Sequence, residues 1–170
     1  QDPMSDSALI QPFAPQSCAC ACGQSPFTVS AAPIVRLRCH CLICQAVSGQ
    51  AFADVMLFWA GAITLPDDHK IGFKRHRRPP ALRRGTCPGC GASVLGFLRL
   101  SPFVQLVSVP SKNFPDQAAL PAPAAHIFYH RRVKQADDAL PKIEGYWLSQ
   151  LAVTRIVIGS LFGKSRRGQA

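Results

Sequence analysis

The residues best equipped for chemistry in this chain are its eight cysteines, and they are clustered. They fall at Cys18, Cys20 and Cys22, at Cys39, Cys41 and Cys44, and at Cys87 and Cys90. Gaps of one or two residues are ligand spacing, because a tight turn aims both sulfurs at one point. Cys87-Pro88-Gly89-Cys90-Gly91 is the sharpest of these segments. Its proline sets one backbone angle, and its glycines permit the turn that brings amides toward the sulfurs. The segment reads as a zinc knuckle in need of a second thiolate pair. Cys20-Ala21-Cys22-Gly23 has the same Cys-Gly ending and is preferred to Cys18 with Cys20. Four soft thiolates suit a closed tetrahedral zinc site.

The middle segment, Cys39-His40-Cys41-Leu42-Ile43-Cys44, is different. Three protein ligands with one open position is how catalytic zinc is usually held. A redox trio, or a structural zinc completed by Cys18 or a histidine, is the competing reading of the same residues. His40 lies between two ligands in an extended segment, so its side chain should point away from the metal. Cys18 is the one cysteine without a place.

These motifs, in this order, resemble the glutathione-dependent formaldehyde-activating enzyme family, which includes centromere protein V. The match is Cys20-x-Cys22-Gly23, then Cys39-His40-Cys41-x-x-Cys44, then Cys87-x-x-Cys90-Gly91. Weaker agreement comes from Gly49 with Phe52, from Pro123-x-x-His126-Ile127-Phe128, and from the stretch Asp137 to Tyr146. The resemblance implies an all-β, Mss4-like fold around two zinc ions. It implies a structural zinc held by Cys20, Cys22, Cys87 and Cys90, and a catalytic zinc held by Cys39, Cys41 and Cys44. It implies a carbon–sulfur lyase activity that joins glutathione, or a similar thiol, to formaldehyde or another small aldehyde. The middle motif departs from many members in being followed by Gln45-Ala46-Val47 rather than basic residues.

The implied chemistry is physically reasonable. A zinc ion with an open position stabilises a thiolate, and proximity to an aldehyde carbon does much of the rest. Three thiolates already leave the site with negative charge, so it suits a thiolate or a neutral carbonyl better than a strong hydroxide. His40 and His126 are the candidate proton donors.

The elements that must position these groups read as strands. Ile34 to Arg38 alternates apolar and basic residues, as a half-buried strand does. Phe52 to Trp59 is a mostly apolar run, and Val94–Leu98 with Phe103–Val109 forms a hairpin about Ser101-Pro102. His126 to Arg132 is expected as a further strand. Residues 110–125 hold four prolines and can hardly be helical. The expected organisation is an expression scar and flexible arm over 1–17, a zinc-binding β domain over 18–147, and a helical or irregular C-terminal extension over 148–170.

Composition excludes other classes. Nineteen Lys+Arg oppose nine Asp+Glu, a formal charge of +10, and Glu144 is the single glutamate. With 15 prolines and 12 glycines the chain is no helical bundle, and its 48% apolar content is too high for overall disorder. Few carboxylates leave little material for glycosidase acid pairs or oxygen-ligand metal sites. Seven cations fall between Lys70 and Arg84, and Lys164, Arg166 and Arg167 follow near the end. They suggest a solvated loop, a funnel for an acidic thiol such as glutathione, or a nucleic-acid surface. Only Phe73 offers a stacking face, which disfavours nucleic acid. A zinc-stabilised binding module that uses this basic face is the rival to an enzyme. No secretory signal or membrane-spanning stretch is present, so the expected compartment is cytoplasmic, with no membrane partner.

Overall fold

The strand Ala53–Trp59 shows how the molecule is put together. Side chains alternate between the two faces of a strand. Met56 and Phe58 enter one hydrophobic core, while Ala53 and Leu57 enter a second on the other face. A computed structural model describes residues 13–75 and 81–167. Arg77 and Arg78 of the basic run and the first twelve residues lie outside the described set, as do the side chains of Lys164, Arg166 and Arg167.

In chain order the strands are β1 (Gln16–Ala19), β2 (Pro26–Val29), β3 (Val35–Cys39), β4 (Ala53–Trp59) and β5 (Ile63–Thr64). They continue with β6 (Gly72–Arg75), β7 (Ala81–Thr86), β8 (Ser93–Ser101), β9 (Val104–Pro110) and β10 (Ala125–Ile127). The helices are α1 (Leu42–Ser48) and α2 (Tyr146–Arg167). A seven-stranded sheet runs in the order β10-β3-β4-β9-β8-β7-β6, and a three-stranded sheet runs β1-β2-β5. Among the described residues all pairings between these strands are antiparallel except β10 with β3, and β10 also makes an isolated parallel bridge from His126 to Lys142.

Phe27 and Val29 of the small sheet pack with Met56, Phe58, Val107 and Val109 of the large one. Each such side chain contributes about 1.5–3 kcal/mol when fully buried. Cys18 belongs to this core. It is almost fully buried in β1, and burial pushes its thiol up to about 11. The cysteine without a ligand role is therefore a core residue. The second core is smaller, built on Leu37, Leu57, Ala125 and Ile127, and Val153 of α2 packs against it.

The expected strands at β3, β4 and the β8–β9 hairpin are present, and β1 takes the last two residues of the expected arm. The strand expected over His126–Arg132 stops at Ile127. Its ladder partner β3 ends at Cys39, and Phe128 turns the chain with a φ of 52° into a 3₁₀ turn at Tyr129–Arg131. Of the described part of the basic run, Lys70 lies in an exposed loop, while the rest forms the β6–β7 hairpin, with Lys74 opposite Arg84 and Arg75 opposite Arg83. The C-terminal extension is helical. Its β-branched run Val153 to Ile158 also suits a strand, but Ser149 and Val157, on one helical face, are buried against the domain.

Candidate metal centres

Two turns from distant parts of the chain build the first centre. Cys20 and Cys22 follow β1, and Gly23 closes their turn by donating its amide to the Cys20 carbonyl at 2.9 Å. Cys87 and Cys90 follow β7, and Gly91 donates to the Cys87 carbonyl at 2.8 Å. Gly23 and Gly91 have φ of 76° and 69°, a region other residues enter at a cost. The four sulfurs lie within 4.8 Å of one another, with Cys20–Cys22 at 3.5 Å and Cys22–Cys87 at 3.6 Å. Tetrahedral zinc with bonds of about 2.3 Å needs sulfurs roughly 3.8 Å apart, so the set fits such an ion. Cys20 and Cys87 are buried, while Cys22 and Cys90 face solvent. The Ser25 hydroxyl and the amides of Cys90 and Gly89 hold Cys87 down at about 6.

One continuous segment builds the second centre. Cys39 ends β3, Cys41 caps α1, and Cys44 lies in its first turn. The Cys44 amide donates to Cys41 Sγ at 3.3 Å, so the thiol serves as the helix cap while facing its neighbours. Gly49, with φ of 66°, ends the helix. The three sulfurs lie within 4.8 Å of one another, and no histidine nitrogen or fourth cysteine joins them among the described residues. Hydrogen bonds from Cys39 and Cys44 pull Cys41 far below the ordinary thiol value, and the same cluster pushes Cys39 up.

Beside this trio stands Arg84 of β7, whose Nη2 donates to Cys44 Sγ at 3.3 Å. Its Nε is buried and has no partner among the described residues. Both side chains border a cavity of about 360 Å³, which Phe52, Asp54, Lys112 and Lys134 also line. Asp54 is occupied by Arg36 through two bonds of 2.8 Å. The cavity's free charges are therefore cationic, and they favour an anionic occupant.

Behind the trio runs a buried polar chain. His40 Nε2 lies 2.8 Å from His126 Nδ1, and His126 Nε2 lies 2.9 Å from Asp138 Oδ2. Asp138 also meets Arg38 at 2.9 Å and Lys142 at 3.1 Å. An ionised Asp138 accepts from His126 Nε2–H, which makes His126 Nδ1 an acceptor and His40 Nε2 a donor. His40 Nδ1 then carries a lone pair, and it is buried with no partner among the described residues. Burial lowers His40 to about 4 and keeps it neutral. The histidine in the cysteine motif thus turns to His126 rather than joining the sulfurs. Sequence reasoning names both histidines but not their contact, and it does not single out Arg84. Six similar cations surround Arg84 in the sequence, whereas strand register alone selects it.

A β domain stapled by one four-cysteine cluster, with a three-cysteine cluster beside a cavity, is a zinc-binding fold of the Mss4-like class. The family model described as "glutathione-dependent formaldehyde-activating enzyme" matches residues 15–131, and the chain belongs to that family. No curated protein matches the chain. Membership ties the chain to glutathione- and formaldehyde-related activity at the level of the family. Both cysteine clusters have the composition and spacing to bind metal ions.

Proposed function

We propose that this protein is a zinc-dependent carbon–sulfur lyase-type enzyme. It joins glutathione, or a similar anionic thiol, to formaldehyde or another small aldehyde, and parts the adduct in reverse. The observation that carries this reading is that the three-cysteine cluster borders a cationic cavity through Cys44 and Arg84, while the other cluster has its four thiolates already. Cys20, Cys22, Cys87 and Cys90 hold a structural zinc, and Cys39, Cys41 and Cys44 hold a catalytic one.

When bound there, zinc supplies Lewis acidity that favours a substrate thiol in its thiolate form. The chain's own residues do the rest. Arg84 orients Cys44 and places a positive charge beside the cluster. Lys112 and Lys134 offer charge partners to the carboxylates of the thiol. The Asp138–His126–His40 chain fixes the tautomer of His40, and both nitrogens of His126 are engaged, so His126 serves His40 rather than substrate. In the forward direction a carbon–sulfur bond forms, the carbonyl π bond opens, and the thiol proton ends on the new hydroxyl oxygen. The catalytic unit spans 18–147 with 148–170 as an extension, and its eight unpaired thiols suit the reducing cytoplasm.

The test is formaldehyde consumption with and without glutathione, for the zinc-loaded protein and for Cys41→Ser. A glutathione-dependent rate above the uncatalysed reaction is expected, lost in the variant together with one of two zincs. Equal rates with and without protein, across cellular thiols, would overturn the reading and leave the binding-module alternative.

A further inference from the structure

The described surface exposes ten large hydrophobic side chains, and six of them are on α2. They are Trp147, Leu148, Leu151, Ile158, Leu161 and Phe162, with Trp147 at 80% and Phe162 at 70% exposure. The spacing explains the pattern. Ser149, Val153 and Val157 recur every four residues and turn toward the domain. Trp147, Leu151, Ile158 and Phe162 recur at intervals of four, seven and four, and form one stripe on the opposite side. The helix is apolar on both sides, and the domain covers only one. A stripe of this size on a folded surface marks a contact. The helix lies beyond residues 15–131, so the family's chemistry does not account for it.

Charge selects the occupant. Across Tyr146–Arg167 there is no acid, and the cations are Arg155, Lys164, Arg166 and Arg167. Arg155 is exposed within the apolar stripe and sits beside the midpoint of the helix. A second copy packed face to face about the middle of the helix would set Arg155 near its own counterpart, and the acid beside that face, Glu144, is already paired with Arg132 at 2.9 Å. The helix's own sequence carries cations and no acid, and the neighbouring Glu144 is paired with Arg132, so its apolar stripe instead matches a bilayer surface, with acyl chains for the stripe and anionic headgroups for Arg155. No described helix is long and apolar enough to cross a membrane, so the contact is one of lying on it. From Trp147 to Phe162 the stripe runs roughly 22 Å along that plane.

We propose that α2 docks this protein on the surface of a bilayer containing anionic phospholipid. This revises the expectation of no membrane partner, which rested on the lack of a spanning segment. The cytoplasmic leaflet, rich in anionic lipid, is the matching surface.

The experiment is cosedimentation of the full, zinc-loaded chain with vesicles of phosphatidylcholine alone or with about one third phosphatidylglycerol. Binding to the anionic vesicles alone is expected, weakened at high salt. Replacing both Leu151 and Ile158 with Glu should weaken binding about tenfold or more, and Arg155→Glu should do so by a smaller factor. These side chains are exposed, so a cooperative melt should be kept, and the salt dependence of the unaltered chain needs no variant. Three results overturn the proposal. They are equal binding to both vesicle types, binding to neither, and a dimer by light scattering that the double variant splits, which would assign the stripe to a second copy.

Discussion

The two cysteine clusters use the same ligand chemistry in opposite ways. Cys20 and Cys22 meet Cys87 and Cys90 across more than sixty residues, and Cys20 and Cys87 lie within the larger core. A metal there closes a long loop and ties the small sheet to the large one. Cys39, Cys41 and Cys44 come from six consecutive positions, held by the end of β3 and the first turn of α1. A metal there closes almost nothing. The first cluster is coordinatively complete and the second is not, and Arg84 and a cavity stand beside the second. The difference teaches that ligand count and sequence separation together divide holding the fold from exposing a metal. β7 joins the two, since Arg84 reaches one cluster and Cys87, three residues on, belongs to the other.

The sharpest way to break this comparison is to remove one sulfur from each cluster. Cys87→Ser should abolish the cooperative melt seen by circular dichroism. Structural zinc in small domains contributes about 10 kcal/mol or more, which rivals a total stability of about 5–15 kcal/mol. Cys41→Ser should keep a cooperative melt while bound zinc falls from two ions to one. If Cys41→Ser unfolds the chain and Cys87→Ser does not, the assignment of the two roles is reversed.

A smaller effect is expected between the clusters. Gly85 is packed so tightly that an added Cβ would lie 2.6 Å from Ile71 Cγ2 and 2.9 Å from Phe73 Cε1. Gly85→Ala should cost about 1–3 kcal/mol by overpacking, read in urea unfolding. Because β7 serves both centres, the variant should also loosen Arg84 from Cys44, seen as faster alkylation of Cys44 in the zinc-loaded protein. Unchanged stability and alkylation would show that the clusters are independent of the strand between them.

The smallest effect concerns Asp138, beneath the three-cysteine centre. Its hydrogen bond with His126, aided by Lys142, holds its carboxyl well below the usual range. A carboxylate with a lowered folded-state pKa adds stability that is complete above its unfolded value, about 4, and fades as pH drops below it. The melting temperature of Asp138→Asn should therefore trail the unaltered chain by a constant few degrees from pH 5 to 7, and the gap should narrow below about pH 4. A gap that widens toward acid would assign the stabilisation to another group.

Much of this was legible in the sequence. Cysteine gaps of one or two residues are local geometry, so the clusters could be read directly, as could the alternation in β3 and the apolar run of β4. Cys18 was not legible, because a buried thiol and a ligand look alike until its neighbours are known. The end of β10 escaped because it depends on where β3 stops, and nothing local to His126–Arg132 reports that. The helix at Tyr146–Arg167 was ambiguous because β-branched residues suit a strand, and burial of Val157 and Ser149 settled it.

By itself the sequence determined the clustering of the candidate sulfur ligands and the mainly β class, because each follows from spacing or periodicity along the chain. Only the tertiary structure decided which of seven clustered cations reaches Cys44, that His40 pairs with His126 and Asp138, and that one apolar face of α2 stays uncovered. Those outcomes depend on strand register and on packing between distant segments. A side chain's partner across forty or more residues is a property of the fold, not of the neighbours it has in the sequence.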